Sequence, residues 1–579
     1  MPSLGKDVLG SQTLGHRAHR EPWTGVGPGF TAVEREGQQA MTRSAISLVH
    51  ARGSGHAGPA ERAGGARWLH LALVLEVAAA VRFYFVLQGD FPLNDGGLFL
   101  RMVQAIQEGG FALPVHVSYN GWAIPFAYPP LAFYVAAWLA TVLQVDPLTV
   151  LRWLPPVVSV LTLVPFYYLV QAALPTPRQR LLAAMAFAFV PRAYNWEIMG
   201  GGLTRSLGFF FALWTIGAAL RLVREGRRRD GVGCLLFGAL TLLSHLEMAL
   251  FAALSAALIR VCHGRVGSRW RPIVGVGLGV LALTAPWWGT VIARHGVAPF
   301  LAAAASGQHT PLALLKLLAF DFADEPLAGL FGVLGTLGLL VLWADGRPWI
   351  PLWVLLLFVA DPRKASTTAM VPMAMAFAYL VDQLLWPRLA RAHRRWPAIV
   401  LGVLLAHATL ATLYLAHAPN TPLRALSPAE REAMAWVRAH TPPQSRFVVV
   451  SGAPGWPQDA LAEWFPVLAG RTSVATVQGT EWLADGQFDL LVDRYEALQA
   501  CVHQEVRCLE SWAAQAGISF DHVYVGKRTT ALNASLTWDC CSGLRVSLRS
   551  DPAYQVLQDG PGGLIVRRLR RPGTPTASH

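Results

Sequence analysis

Charge is scarce in this chain. Only 14% of its 579 residues are Asp, Glu, Lys or Arg, against 53% hydrophobic, and the mean hydropathy is +0.38. Soluble domains carry about 25% charged residues. The deficit excludes an ordinary soluble protein and puts most of the chain in lipid. Acid is scarcer than base, and 35 acidic against 48 basic residues leave a net charge of +13. In a soluble protein that excess would point to nucleic acid. Here the basic residues fall in short clusters between apolar segments, the pattern of cytoplasmic loops, and nucleic-acid binding is set aside. Internal repeats are also missing, as is any signal peptide with an A-x-A site.

Residues 1–66 are rich in Gly, Arg, His and Ser without apolar periodicity, and read as a disordered cytoplasmic tail. Met41 is an alternative start. Apolar segments follow at 68–88, 150–173, 180–195, 203–223, 231–245, 247–262, 272–292, 326–344, 347–361, 367–386 and 396–417. A span needs about 20 residues, so the shorter ones are tilted or broken.

The segment 130–144 decides the topology. If it does not span, the clusters Arg178/Arg180, Arg224/Arg227/Arg228/Arg229, Arg265/Arg269/Arg271 and Arg388/Arg391/Arg394/Arg395 all face one side, as the positive-inside rule requires. YPPLAFYVAAWLATVL, from Tyr128, is therefore expected to be a re-entrant or interfacial helix. The fold class is mainly α: a polytopic bundle of about eleven spans with an inside N-terminus, followed by an extracytoplasmic α/β domain.

On that topology the outer face collects the unusual residues. FPLNDGGLF, residues 91–99, sets Asp95 in a turn between Asn94 and Gly96-Gly97, with Asp90 just before it. The same loop carries the amphipathic stretch GLFLRMVQAIQEGG and His116, Tyr119 and Asn120. The second outer loop, PRAYNWEIMGGG, offers Arg192, Glu197 and a flexible Gly run. Further on come His245 and Glu247 at a turn, then His295, His309, Asp321, Asp324 and Glu325, and then DPRKAS with Arg363 and Lys364. Cations between two spans on the outer side oppose the charge bias and invite a functional reading. The plainer readings stand beside these. Glu197 caps its loop, His245 and Glu247 hydrogen-bond where two spans turn, Asp321 and Asp324 end helices, and Arg363 and Lys364 hold lipid head groups. Glu76 and Arg82, inside the first span, are assigned to structure.

After about 418 the composition changes. Ser427, Pro428 and Glu430 form a helix-start signature. Strands are expected at RFVVVSG, TSVATV and HVYVGK, helices at DALAEWFPVLAG, near 488–498, near 505–516 and at CSGLRVSL, and a closing hairpin across Asp559-Gly560-Pro561-Gly562. The domains are thus 1–66, 67–417 and 418–579. Cys501, Cys508, Cys540 and Cys541 all lie in the last, where an oxidising side favours disulfides. Their spacing matches no usual zinc site. Asn533-Ala534-Ser535 is a glycosylation sequon by pattern.

An acid just after span one, a re-entrant Tyr128-Pro129-Pro130-Leu131 helix, a second-loop acid and a terminal outer domain resemble the GT-C glycosyltransferases. These include protein O-mannosyltransferases, lipid A aminoarabinose transferases and oligosaccharyltransferase catalytic subunits. The resemblance covers about 67–417 in layout. It implies a multi-pass cell-membrane enzyme that moves a sugar from a polyprenyl-phosphate donor to a glycan, lipid or protein acceptor on the outer face. It makes Asp95 the general base, or the acceptor and metal contact, and Glu197 its second acid. It gives the donor phosphate to Arg363 and Lys364. Asn94, Tyr128, His245 and Glu247 join them as candidate substrate contacts. The resemblance leaves a divalent metal open; if one is used, Mg or Mn, Asp95 and Glu197 are the candidates to hold it.

Two features depart from the family. Many relatives have adjacent acids where this chain has Asn94-Asp95, and the W-W-D-Y-G motif of oligosaccharyltransferases is absent. Peptide-sequon recognition is not supported. The alternatives are a lipid-linked substrate transporter or flippase, which would want repeats and midplane breaks, and a non-catalytic protein that keeps the scaffold.

Overall fold

The computed structural model describes residues 59–264, 270–306, 313–320, 322–418, 421–483, 486–527, 529–531 and 537–569. His309, Asp321 and the sequon Asn533 lie outside these residues. From Gly65 onward the chain forms one compact unit.

The chain opens with α1 (Pro59–Val86), then α2 (Gly97–Glu108), a hairpin of β1 (His116–Tyr119) and β2 (Trp122–Pro125), and α3 (Leu131–Leu143). α4 (Pro147–Leu161) and α5 (Leu163–Ala173) follow as one apolar stretch, and then α6 (Pro177–Phe189). Next come α7 (Gly202–Glu225), α8 (Arg228–Ser244), α9 (Leu246–His263) and α10 (Arg271–His295). α11 (Leu330–Ala344), α12 (Trp349–Ala360), α13 (Pro362–Thr368), α14 (Met370–Tyr379) and α15 (Trp396–His417) complete the helical part.

Six of the described helical stretches are long and apolar enough to cross a membrane: Arg67–Val86, Pro147–Ala173, Gly202–Glu225, Leu246–His263, Arg271–His295 and Trp396–His417. A seventh is a pair, Pro362–Thr368 and Met370–Ala392, bent by 43°. The other apolar helices are shorter than a membrane is thick.

α7 is the central post, buried along most of its length against α4, α5, α8 and α9. α14 is buried at all ten positions and packs on α11. A Cβ on Gly338 of α11 would run into the backbone of Ala376, so glycine is what allows that close approach. One ionic residue in α1 has a structural task. Arg82 is buried, donates to Ser159 Oγ (3.0 Å) and Ala188 O (3.0 Å), and lies over the Tyr194 ring.

The first loop holds more regular structure than the sequence suggested. α2 buries Leu98, Phe99, Met102, Val103 and Ile106, an apolar stripe at helical spacing. Beyond it, Tyr119 and Asn120 belong to the β1–β2 hairpin, whose turn is at Asn120-Gly121.

The C-terminal part begins at α16 (Pro428–His440), with a complete capping box between Ser427 and Glu430. It continues with β3 (Arg446–Val450), α17 (Ala460–Leu468), β4 (Thr472–Ser473), α18 (Gln487–Gln499), α19 (Val506–Gln515) and β5 (His522–Gly526). After a small hairpin, β6 (Thr529–Ala531) and β7 (Thr537–Asp539), come α20 (Ser542–Ser550), β8 (Tyr554–Gly560) and β9 (Gly563–Arg568). The five-stranded sheet runs β4-β3-β5-β9-β8, parallel across β4, β3 and β5 and antiparallel after that.

One expected strand is shorter than its sequence implied. TSVATV pairs only at Thr472 and Ser473, and Asn120 covers the other edge of Ser473. Its side chain accepts from Ser473 N (2.7 Å) and donates to Ser473 O (2.9 Å), replacing a neighbouring strand. Cys501 is bonded to Cys508, and Cys540 to Cys541.

α17 is what carries the C-terminal part onto the first loop. Trp464 is fully buried, donates to Asn94 O (2.8 Å) and meets Phe91 edge-on at 4.7 Å. Asp90 accepts both its bonds from Arg431 (2.6 and 2.7 Å).

A candidate active site between the first loop and the second

The turn at Asp95 is made by its neighbours. Asn94 sits at φ 51 and Gly96 at φ 132, positions that suit Asn and demand Gly. Asn94 is buried, and its amide donates to Pro457 O (2.9 Å). The structure therefore gives Asn94 to the turn rather than to a substrate.

Asp95 is left pointing at the second loop. Its Oδ1 accepts from Gly201 N (2.8 Å), and its Oδ2 faces Arg205 Nη2 at 2.9 Å. Gly200-Gly201-Gly202 reads in sequence as a flexible run. In the structure it is a close-packing device, because a Cβ on Gly201 would collide with the Asp95 carboxylate and one on Gly200 with the Asp95 carbonyl. Arg205 stands one turn into α7, where Nε donates to Trp196 O (3.0 Å) and the guanidinium lies over the Trp196 ring.

Glu197 is 2% exposed, and its Oε2 has no hydrogen-bond partner among the described residues. Burial pushes its carboxyl up to about 7, against the pull of Arg205 and Lys364.

The expected cations are close by and already balanced. Glu247 Oε2 lies 3.4 Å from Lys364 Nζ and 3.9 Å from His245 Nε2, and Glu247 Oε1 lies 3.5 Å from Arg363 Nε. Asp361 caps α13 by accepting from Lys364 N, which fixes the direction in which the two cations leave the backbone. His245 is buried against Gly208, whose missing side chain makes room for it. Tyr128 packs among Phe99 (5.2 Å), Trp482 (4.9 Å) and His245 (6.5 Å), and burial raises its phenol to about 12.

Other loop residues have structural partners. Arg192 pairs with Asp324 (3.1 Å) and donates to Thr367. Glu325 accepts from Phe331 N and Gly332 N and so caps α11. His295 rests edge-on against His116 at 5.0 Å.

Three site residues escaped the sequence reading. Arg205 had a signal, being a cation inside the apolar run 203–223. Glu463 and Glu481 had none, since both sit in stretches that read as ordinary domain. Glu463, on α17, accepts from Gly96 N (2.9 Å) and Gly97 N (3.1 Å), the two successive backbone N–H groups after Asp95. Burial, and then Asp95, push Glu463 up to about 8. Glu481 is raised by burial and accepts from Gly479 N (2.7 Å).

A divalent metal does not fit these side chains. One Asp95 oxygen already faces a guanidinium and the other a backbone N–H. Among the described residues no three His, Cys, Asp or Glu side chains converge as ligands.

The profile for dolichyl-phosphate-mannose-protein mannosyltransferase matches residues 127–289. Among solved structures, the chain resembles ArnT from Cupriavidus metallidurans bound to undecaprenyl phosphate, with TM-score 0.50 and 14% identity over 88% of this chain and 99% of that one. The fold is shared with that of ArnT. Arabinofuranosyltransferase AftD from Mycobacteria gives TM-score 0.50 and 16% identity over 87% of this chain and 40% of that one. The oligosaccharyltransferase AglB from Archaeoglobus fulgidus, in complex with an inhibitory peptide and a dolichol-phosphate, gives 0.48 and 15% over 79% and 69%. A sequence search of the curated proteins returns no match.

Proposed function

We propose that this chain is a membrane glycosyltransferase that moves a sugar from a polyprenyl-phosphate donor to an acceptor on the outer face. The observation that carries this is Asp95. It is a partly exposed carboxylate held in one orientation by Gly201 N and Arg205, in a fold that also gathers Arg363 and Lys364 at Glu247.

The acceptor hydroxyl attacks the anomeric carbon as the bond to phosphate breaks. Its proton passes to Asp95, and the electron pair of the broken bond leaves on the polyprenyl phosphate. Asp95 takes the proton as a general base. Arg363 and Lys364 hold the leaving phosphate through charge-assisted hydrogen bonds, turning to it from Glu247. Arg205 keeps Asp95 in place. Glu197 acts through Arg205 and Lys364 instead of touching the acceptor, because it is buried. Tyr128 and Trp482 supply an aromatic wall against which a sugar can lie.

The membrane arrangement belongs to the same proposal. α6, α8, α11 and α12 cross as short spans, together with the seven long or bent stretches, while α3 does not. That makes eleven crossings, with the tail inside and 418–579 an extracytoplasmic α/β domain. The positions of the basic clusters support it.

Asp95→Asn keeps shape and hydrogen-bonding atoms but removes basicity. Transfer from radiolabelled polyprenyl-phosphate sugars by the purified variant should fall about a hundred- to ten-thousand-fold, with donor binding retained. Near wild-type transfer would reduce Asp95 to a loop acid.

A further inference from the structure

The main chain around Asp95 is held from the C-terminal part. Asn94 N donates to Arg424 O (2.8 Å), and Asn94 O accepts from Trp464 Nε1 (2.8 Å). After Asp95, Gly96 N (2.9 Å) and Gly97 N (3.1 Å) both donate to Glu463 Oε1. The Asp95 side chain is held instead by the second loop and α7, at Gly201 N and Arg205. Peptide units are planar, so a chain turns only at its Cα atoms. Trp464 grips the peptide that enters Asp95, and Glu463 grips the peptide that leaves it. Two adjacent residues of α17 thereby fix both dihedral angles of Asp95, and with them the direction of its Cα–Cβ bond.

These contacts are tightly built. α2 begins at Gly97, where the first N–H groups of a helix lack partners within it. A Ser or Asp at the preceding position is the usual cap. Gly96 stands there, at φ 132 and with no side chain to offer. Successive N–H groups in a turn draw anions. Glu463 Oε1 already occupies this pair, so the turn is closed by α17 and not by a substrate phosphate. The packing leaves no slack. A Cβ on Gly97 would lie 2.8 Å from Glu463 O, and one on Gly96 3.1 Å from the Trp464 ring. α17 is itself anchored, because Tyr119 OH donates to Glu463 O (2.6 Å) and Trp464 is fully buried.

We propose that Glu463 and Trp464 are positioning residues for Asp95. They set the direction in which its carboxylate leaves the backbone, so the C-terminal part takes part in turnover through Asp95. The inference rests on the reading of Asp95 as the base. A contact that only capped α2 would lend stability alone, and its loss would slow turnover by the same factor whatever stood at position 95.

The full chain is purified, and its turnover of radiolabelled polyprenyl-phosphate mannose and polyprenyl-phosphate arabinose is measured. Binding of unlabelled polyprenyl phosphate is followed by its effect on melting. Glu463→Ala should lower kcat about a hundredfold, the scale of a misplacement of about 1 Å, with KM and polyprenyl-phosphate binding unchanged. Glu463→Gln keeps the accepting oxygen and should restore most of the rate. In an Asp95→Asn background, Glu463→Ala should cost little more, because residues that act through one another are not additive. The same factor in both backgrounds would overturn the proposal, as would a wild-type kcat in Glu463→Ala. If Glu463→Ala does not fold, Trp464→Phe decides by the same comparison, because it keeps a ring against Phe91 and deletes the bond to Asn94 O. Asp95→Asn at the wild-type rate, or a wild type that consumes neither donor, would instead overturn the transferase reading and this inference with it.

Discussion

Arg205 and Asp95 meet at 2.9 Å across 110 residues of sequence, with both side chains mostly withdrawn from solvent. The contact joins the loop after α1 to the N-terminal turn of α7. It also places a fixed positive charge where the donor set would otherwise call for a metal.

Removing that charge should cost both stability and activity. Breaking a mostly buried pair from one side typically costs about 3 kcal/mol. Arg205→Ala should therefore lower the melting temperature and the transfer rate together. Arg205→Lys keeps the charge but loses the bond to Trp196 O, and should recover stability more than activity. A stable, fully active Arg205→Ala would show that the pair is incidental.

Gly201→Ala tests the geometry without changing any charge. The added methyl runs into the Asp95 carboxylate and must displace it. A misplacement of about 1 Å can cost roughly a hundredfold in rate. Turnover should drop by that order while the folded yield is little changed. Gly289→Ala, in α10 with open space around it, is the control and should be silent.

Glu463 should make stability depend on pH. Its folded carboxyl titrates at about 8, above the ordinary 4.5, so the folded state holds the proton more tightly than the unfolded state. Its contribution is fully present below about 4.5 and is lost as pH rises through about 8. Melting temperature followed from pH 5 to pH 9, a range set by these two values, should fall at the alkaline end. Glu463→Gln still offers an oxygen to Gly96 N and Gly97 N but never ionises. Its alkaline decline should be smaller, and an identical curve would remove Glu463 from the account.

The proposed topology places Arg228 and Glu432 on opposite sides of the membrane. Each is replaced by Cys, one at a time, in protein whose Cys234 and Cys262 are Ser. A membrane-impermeant maleimide applied to sealed cells should label Glu432→Cys at once and Arg228→Cys only after lysis. Labelling of both before lysis would overturn the arrangement.

Much of the site was legible because membrane burial makes charge expensive. Asp95, Glu247, Arg363 and Lys364 stood out as ions beside apolar segments, and the structure brings Glu247 together with both cations. Gly201 was visible only as a glycine. Its task, to let one loop lie against the carboxylate of another, depends on a partner 106 positions away.

The sequence by itself determined that the chain lies in a membrane, where its helices run, and on which segments the chemistry-bearing ions sit. Hydropathy and helix signals are local quantities that a window of residues expresses. Only the tertiary structure decided which ions face one another. Glu463 reaches the backbone beside Asp95 because α17, more than 360 residues later, docks on the first loop. The worth of a buried carboxylate depends on its distance to other charges in a low-dielectric space, and no local pattern records that distance.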